Sequence, residues 1–116
     1  MSSTRIYLNR NCSKCRSSLQ LLESKGINAD IVEYLSAPPG VDELREILDL
    51  LSLEPRNLMR QQEAPYTALN LADESLSRDA LIQAMVEHPI LIERPIVIHN
   101  GKATIGRPPE KILDIL

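Results

Sequence analysis

"LNRNCSKCRSSLQLL", residues 8–22, holds both cysteines of the chain, Cys12 and Cys15, three positions apart. Ahead of the pair runs an extended apolar stretch, Ile6-Tyr7-Leu8, within a strand expected over residues 5–9. Behind it, Cys15, Leu19 and Leu22 recur at helical spacing from about Ser13, and Lys25-Gly26 marks the stop. The thiols therefore sit where a strand hands over to a helix. "NADIVEYL", residues 28–35, reads as a second strand. Strand, helix and strand in that order make a βαβ unit, and its two strands should lie parallel.

Working outward, Pro38-Pro39-Gly40 breaks the chain and three helical segments follow. Val41, Leu44, Leu48 and Leu51 form an apolar stripe on the first. Pro55 suits the opening of the second, which should contain Arg56, Leu58, Met59 and Arg60. Ser77 is placed to cap the third, with Leu81, Ala84 and Met85 on its buried face and Pro89 ending it. "PIVIHNGKATI", residues 95–105, is two extended runs joined by Asn100-Gly101, a strong hairpin signal because both turn residues accept positive φ. A last helix should start near Pro109 and bury Ile112, Leu113 and Leu116. The expectation is one α/β domain over residues 1–116, a small mixed sheet ordered β-α-β then β-β-α, with a helical insertion over about 41–92.

Composition narrows what such a domain can do. The 116 residues include no Phe or Trp and only three tyrosines, so the core must be aliphatic. A net charge of −3 gives no general attraction to nucleic acid or to an anionic membrane, and any bound anion needs a local group of cations. The opening Met-Ser-Ser-Thr-Arg has no apolar h-region, and no apolar run approaches the ~20 residues that span a bilayer. A cytoplasmic, monomeric protein is expected. Thiols there are kept reduced, which disfavours a structural disulfide. A closed zinc site needs four ligands, and only the distant His88 and His99 could join the cysteines. No metal or bound cofactor is expected, which leaves a reactive thiolate.

Cys12 falls at the helix start, where backbone N–H groups without intrahelical partners and the helix dipole favour a negative sulfur. Arg10, Lys14 and Arg16 flank it, and a pKa below the free thiol value of ~8.5 is expected. Cys15 lies one turn further on the same face, close enough for a disulfide with little movement. C-x-x-C between a strand and a helix is the dithiol arrangement of thioredoxin-like proteins. Three arginines stand near element boundaries: Arg60 after "NLM", Arg94 before Pro95, and Arg107 before Pro108. Their forked, permanently charged guanidinium groups suit a tetrahedral oxyanion. Arg94-Pro95 opens the hairpin strand, a place where a cis-proline fits.

On these residues the chain resembles the glutaredoxin-coupled arsenate reductase (ArsC) family over nearly its full length. The segments that carry the likeness are Asn9-x-x-Cys12 with Arg16, "NLMRQQEAPYTALNL", "LIERPIVIHNGKATIGRPPE" and the final helix. The resemblance implies a thioredoxin-like fold with a helical insertion, Cys12 as catalytic nucleophile, and Arg60, Arg94 and Arg107 as oxyanion ligands. Asn9, Arg10, Arg16 and Pro95 are expected in support, Arg10 through its charge, since the family usually has proline at that position. Arsenate is the implied substrate, glutathione the co-substrate and glutaredoxin the reducing partner, with thioredoxin as another reductant. Two departures stand out. Leu8 occupies the position where the family usually has histidine, so Arg10 is expected to compensate electrostatically. Cys15 replaces a serine often found there, a feature shared with the related Spx-type regulators and their C-x-x-C switch. Cys15 is thus a resolving or an accessory thiol. The alternatives to a reductase are such a redox-sensing regulator, or a general thiol-disulfide oxidoreductase.

Overall fold

Thr4, Ile6 and Tyr7, residue types that favour extended backbone, lie within Thr4–Leu8, which forms β1, a strand with buried Ile6, Tyr7 and Leu8. The structure is a computed structural model that describes residues 3–116. The chain divides into two compact units, one made of Met1–Ala37 and Arg94–Leu116, the other of Pro38–Glu93.

In the first unit, β1 leads through a short turn into α1 (Ser13–Ser24), then into β2 (Asp30–Glu33). The hairpin strands β3 (Ile96–His99) and β4 (Lys102–Ile105) complete a four-stranded sheet ordered β2-β1-β3-β4. β1 runs parallel to β2, with Leu8 opposite Glu33, and antiparallel to β3, with Tyr7 opposite Ile96. Asn100 and Gly101 turn the hairpin at φ 49° and 81°, the left-handed values that this dipeptide tolerates. This mixed sheet with its helices is the thioredoxin-like architecture.

Ile6 and Leu8, two apart, share one sheet face with Val97, opposite Ile6. Cys15 and Leu22 of α1 pack on that face together with Ile112. Each fully buried aliphatic side chain there contributes roughly 1.5–3 kcal/mol. Gly26, at φ 71°, lets the chain leave α1 sharply.

The C-terminal segment differs from expectation. Pro109–Ile115 is a 3₁₀ helix, in which Ile112 is buried while Leu113 and Leu116 are 40% and 39% exposed. With three residues per turn, positions 112 and 115 align, and both isoleucines pack on the core. Leu113 and Leu116 are rotated off that line. The second strand is also shorter than expected, four residues rather than eight.

The second unit contains α2 (Val41–Leu51), α3 (Pro55–Leu58), α4 (Ala64–Ala68) and α5 (Arg78–Glu87), followed by a 3₁₀ turn at Pro89–Leu91. Leu44, Ile47 and Leu48 of α2 are buried, as are Leu81, Ile82 and Met85 of α5. Ser77 caps α5 by accepting the Ala80 N–H at 3.1 Å. α3 is shorter than expected, and Met59 and Arg60 lie outside it. Here the chain turns extended instead: Met59 bridges Ile92, Arg60 N–H donates to Leu91 O at 2.7 Å, and Glu93 N–H donates to Leu58 O at 2.8 Å. That ribbon uses the backbone groups another helical turn would need. α4 is one helix more than the three expected; Pro65 sits in its first turn, where its missing N–H costs nothing. Among the described residues no helix is long and apolar enough to cross a membrane.

Candidate active site

Asn9 follows β1 and builds the turn that delivers the thiols. Its carbonyl accepts the Cys12 N–H at 2.9 Å, and its side-chain Oδ1 accepts the Asn11 N–H at 3.0 Å. Its own N–H donates to Cys15 Sγ at 3.5 Å. Cys12 is then left as the N-cap of α1 in an extended conformation, φ −93° and ψ 124°. A side chain at this position meets the unpaired N–H groups of the first helical turn.

Burial raises the Cys12 pKa, but that is outweighed by groups that favour the thiolate. The backbone N–H of Cys15, the Arg94 guanidinium, the Cys15 thiol and the Lys14 N–H each favour the thiolate, and the balance falls from an ordinary 9.0 to about 7. Arg107 adds an Nη2 donor 3.7 Å from Cys12 Sγ. Cys15 goes the other way. It is fully buried, and desolvation with the neighbouring Cys12 sulfur pushes its thiol up to about 11, against the Asn9 N–H. One cysteine is poised to ionise and the other to stay protonated.

The two arginines are fastened to each other. Arg107 Nε donates to the Arg94 carbonyl at 2.7 Å, and both residues precede prolines through cis peptide bonds. Burial lowers the Arg94 pKa, but contacts with Cys12 and Tyr34 outweigh that and raise it, so the guanidinium stays charged. Gly106 allows the close approach behind them: a Cβ there would fall 2.5 Å from Ser18 Oγ on α1 and 2.8 Å from Pro95 Cγ. Gly106 N–H donates to the Pro95 carbonyl at 2.9 Å. The structure thus brings together Cys12, Cys15, Asn9, Arg94, Pro95 and Arg107.

The other expected residues have these partners within their own units. Arg10 pairs with Glu33 at the end of β2, 3.0 Å away, so its charge is spent on a carboxylate. Arg16 Nη1 donates to the Arg10 carbonyl at 2.9 Å and so braces the turn. Arg60 belongs to the second unit, where Glu63 and Glu93 take its guanidinium at 3.3 and 2.8 Å. Two contributors escape sequence reasoning. Tyr34, fully buried, hydrogen-bonds Arg94, and Gly106 seats the proline turn. A tyrosine at a strand end, one of three in a chain without Phe or Trp, is the signal that could flag the first.

The model of the ArsC family matches residues 7–115. An arsenate reductase of Neisseria meningitidis serogroup A is 45% identical, with all of both chains covered. An arsenate reductase of Haemophilus influenzae is 48% identical over 96% of this chain and 97% of that protein. Among solved structures, arsenate reductase from Vibrio cholerae superposes with a TM-score of 0.95 at 52% identity, covering 97% of each chain.

Proposed function

Because the chain belongs to the ArsC family, we propose that it is a cytoplasmic arsenate reductase with Cys12 as its nucleophile. The observation that carries this reading is a thiolate of pKa about 7 in contact with the guanidinium groups of Arg94 and Arg107. The family resemblance adds Arg60 as a third oxyanion ligand.

Arsenate carries its negative charge on oxygen, and the paired guanidinium groups offer it forked donors beside the nucleophile. The Cys12 thiolate attacks arsenic(V), a sulfur–arsenic bond forms, and one oxygen leaves as water after protonation. Fixed cations stabilise the charge that builds on the remaining oxygens without having to reorganise. Glutathione then attacks the Cys12 sulfur of the adduct. The sulfur–arsenic electron pair stays with arsenic, which departs as arsenite, and a Cys12–glutathione disulfide remains. Glutaredoxin reduces that disulfide and regenerates the thiol. The protein needs no resident metal or organic cofactor for this cycle; glutathione is a co-substrate. Leu8 offers no imidazole, and the Cys15 and Lys14 N–H groups with Arg94 take over thiolate stabilisation. Cys15 serves as an accessory thiol that donates to Cys12.

The test is turnover of purified protein with arsenate, glutathione and glutaredoxin, followed by arsenite release. Arsenite formation that stops in Cys12→Ser supports the proposal. Absence of arsenite with any thiol reductant, thioredoxin included, rejects it.

A further inference from the structure

We propose that Tyr34 is the positioning residue of the oxyanion site: its buried phenol holds the Arg94 guanidinium at the angle from which it meets the Cys12 sulfur. The proposal rests on the oxyanion role given to Arg94 above.

Three observations meet at this residue. First, β2 runs parallel to β1 with Glu33 opposite Leu8, and Tyr34 follows directly after Glu33, at the end of the sheet where β1 leads into the turn carrying Cys12. Second, Tyr34 is fully buried, and a buried phenol oxygen needs a hydrogen-bond partner. Third, the Arg94 guanidinium hydrogen-bonds both Tyr34 and Cys12. Arginine has donors only, so Tyr34 Oη accepts.

The division of labour follows from the side chains. The backbone of Arg94 is fixed, since its carbonyl accepts from Arg107 Nε at 2.7 Å and a proline follows it. Its long side chain is not fixed by that, because several bonds can still rotate. Tyrosine has only two side-chain torsions, and burial removes their freedom. The guanidinium is a rigid plane, so pinning one edge on the phenol sets the direction of the others. A guanidinium held this way would present its fork to an oxyanion without searching for it.

Tyr34→Phe tests this, because it keeps the ring and removes only Oη. Alkylation of Cys12 by iodoacetamide across pH should show its midpoint moved up by roughly half a unit, about a threefold smaller thiolate equilibrium constant. The KM for arsenate should rise about fivefold, as expected for losing a hydrogen bond that orients a charged group. In an Arg94→Lys background, Tyr34→Phe should change neither quantity further, since the residue acts through Arg94. An alkylation midpoint unmoved by Tyr34→Phe, or one moved equally in both backgrounds, overturns the proposal. If Tyr34→Phe does not fold, the coupling is read from the other side: tyrosinate absorbance of folded Arg94→Lys protein must titrate differently from wild type, and identical curves overturn it. Wild-type protein that forms no arsenite counts against the arsenate reading alone, because the alkylation profiles still decide the coupling.

Discussion

Cys12 and Cys15 are chemically alike and three residues apart, yet their surroundings drive their thiols to about 7 and about 11. Burial acts upward on both; at Cys12 the surrounding donors outweigh it, whereas at Cys15 desolvation and the neighbouring Cys12 sulfur outweigh the Asn9 N–H. Iodoacetamide should therefore modify Cys12 with a midpoint near pH 7, its rate rising with pH and levelling about one unit above, while Cys15 stays unlabelled in folded protein. Preferential labelling of Cys15 at neutral pH would contradict the assignment. Arg94→Lys keeps the charge and removes the fork, so arsenate turnover should fall by about tenfold or more. Arg45, on α2 and paired with Asp42 and Asp79, provides the comparison: Arg45→Lys should leave the rate near wild type. Equal rates for the two variants would remove Arg94 from the site. The thiol pair and its junction are legible in the sequence because spacing and polarity of neighbours are local properties. The direction of Arg10 is not, because it depends on Glu33, which only strand pairing brings near. The partner of Tyr34 is illegible for the same reason, since it lies sixty positions away in the chain.

Among the elements, the α1 start and the β3–β4 hairpin with its flanking prolines carry the site, and Gly106 sets how closely they pack. A methyl group there collides with Ser18 Oγ and Pro95 Cγ, and the proline ring, unlike the serine hydroxyl, cannot rotate away and is bonded to Arg94. Gly106→Ala should cost about 1–3 kcal/mol in urea unfolding, the usual penalty of overpacking. Adding Ser18→Ala removes the nearest atom and should recover part of that loss; no recovery would place the strain elsewhere. Ser18 Oγ is itself buried without a hydrogen-bond partner among the described residues, so its removal carries little penalty of its own. The order of elements can be read from periodicity, turn residues and caps, and the Asn100-Gly101 hairpin and the Ser77 cap form as expected. Helix ends are harder. α3 stops before Arg60 because Met59 finds Ile92, a pairing invisible to local pattern. The C-terminal turn is 3₁₀, and its period changes which of the leucines and isoleucines face inward.

At the scale of the whole molecule and its reaction cycle, the open question is which sulfur releases arsenite. Cys12 is partly exposed at the helix start, so a thiol from solution can reach it. Cys15 is fully buried, and desolvation holds its thiol well above the ordinary value, so at pH 7 it stays protonated. The short C-x-x-C separation makes an internal disulfide geometrically simple. Ionisation and access nevertheless favour glutathione. Exposed to arsenate alone for a single turnover, the protein should retain two unlinked cysteines by mass spectrometry. Once glutathione is added, arsenite should appear together with a Cys12–glutathione adduct. Cys15→Ser should keep glutathione-dependent turnover within about threefold, because a hydroxyl at the same place also donates to the thiolate. The contrary result is equally definite: arsenite released without glutathione, matched mole for mole by a Cys12–Cys15 disulfide, would make Cys15 the resolving thiol. Thioredoxin-type reductants would then be the natural partner.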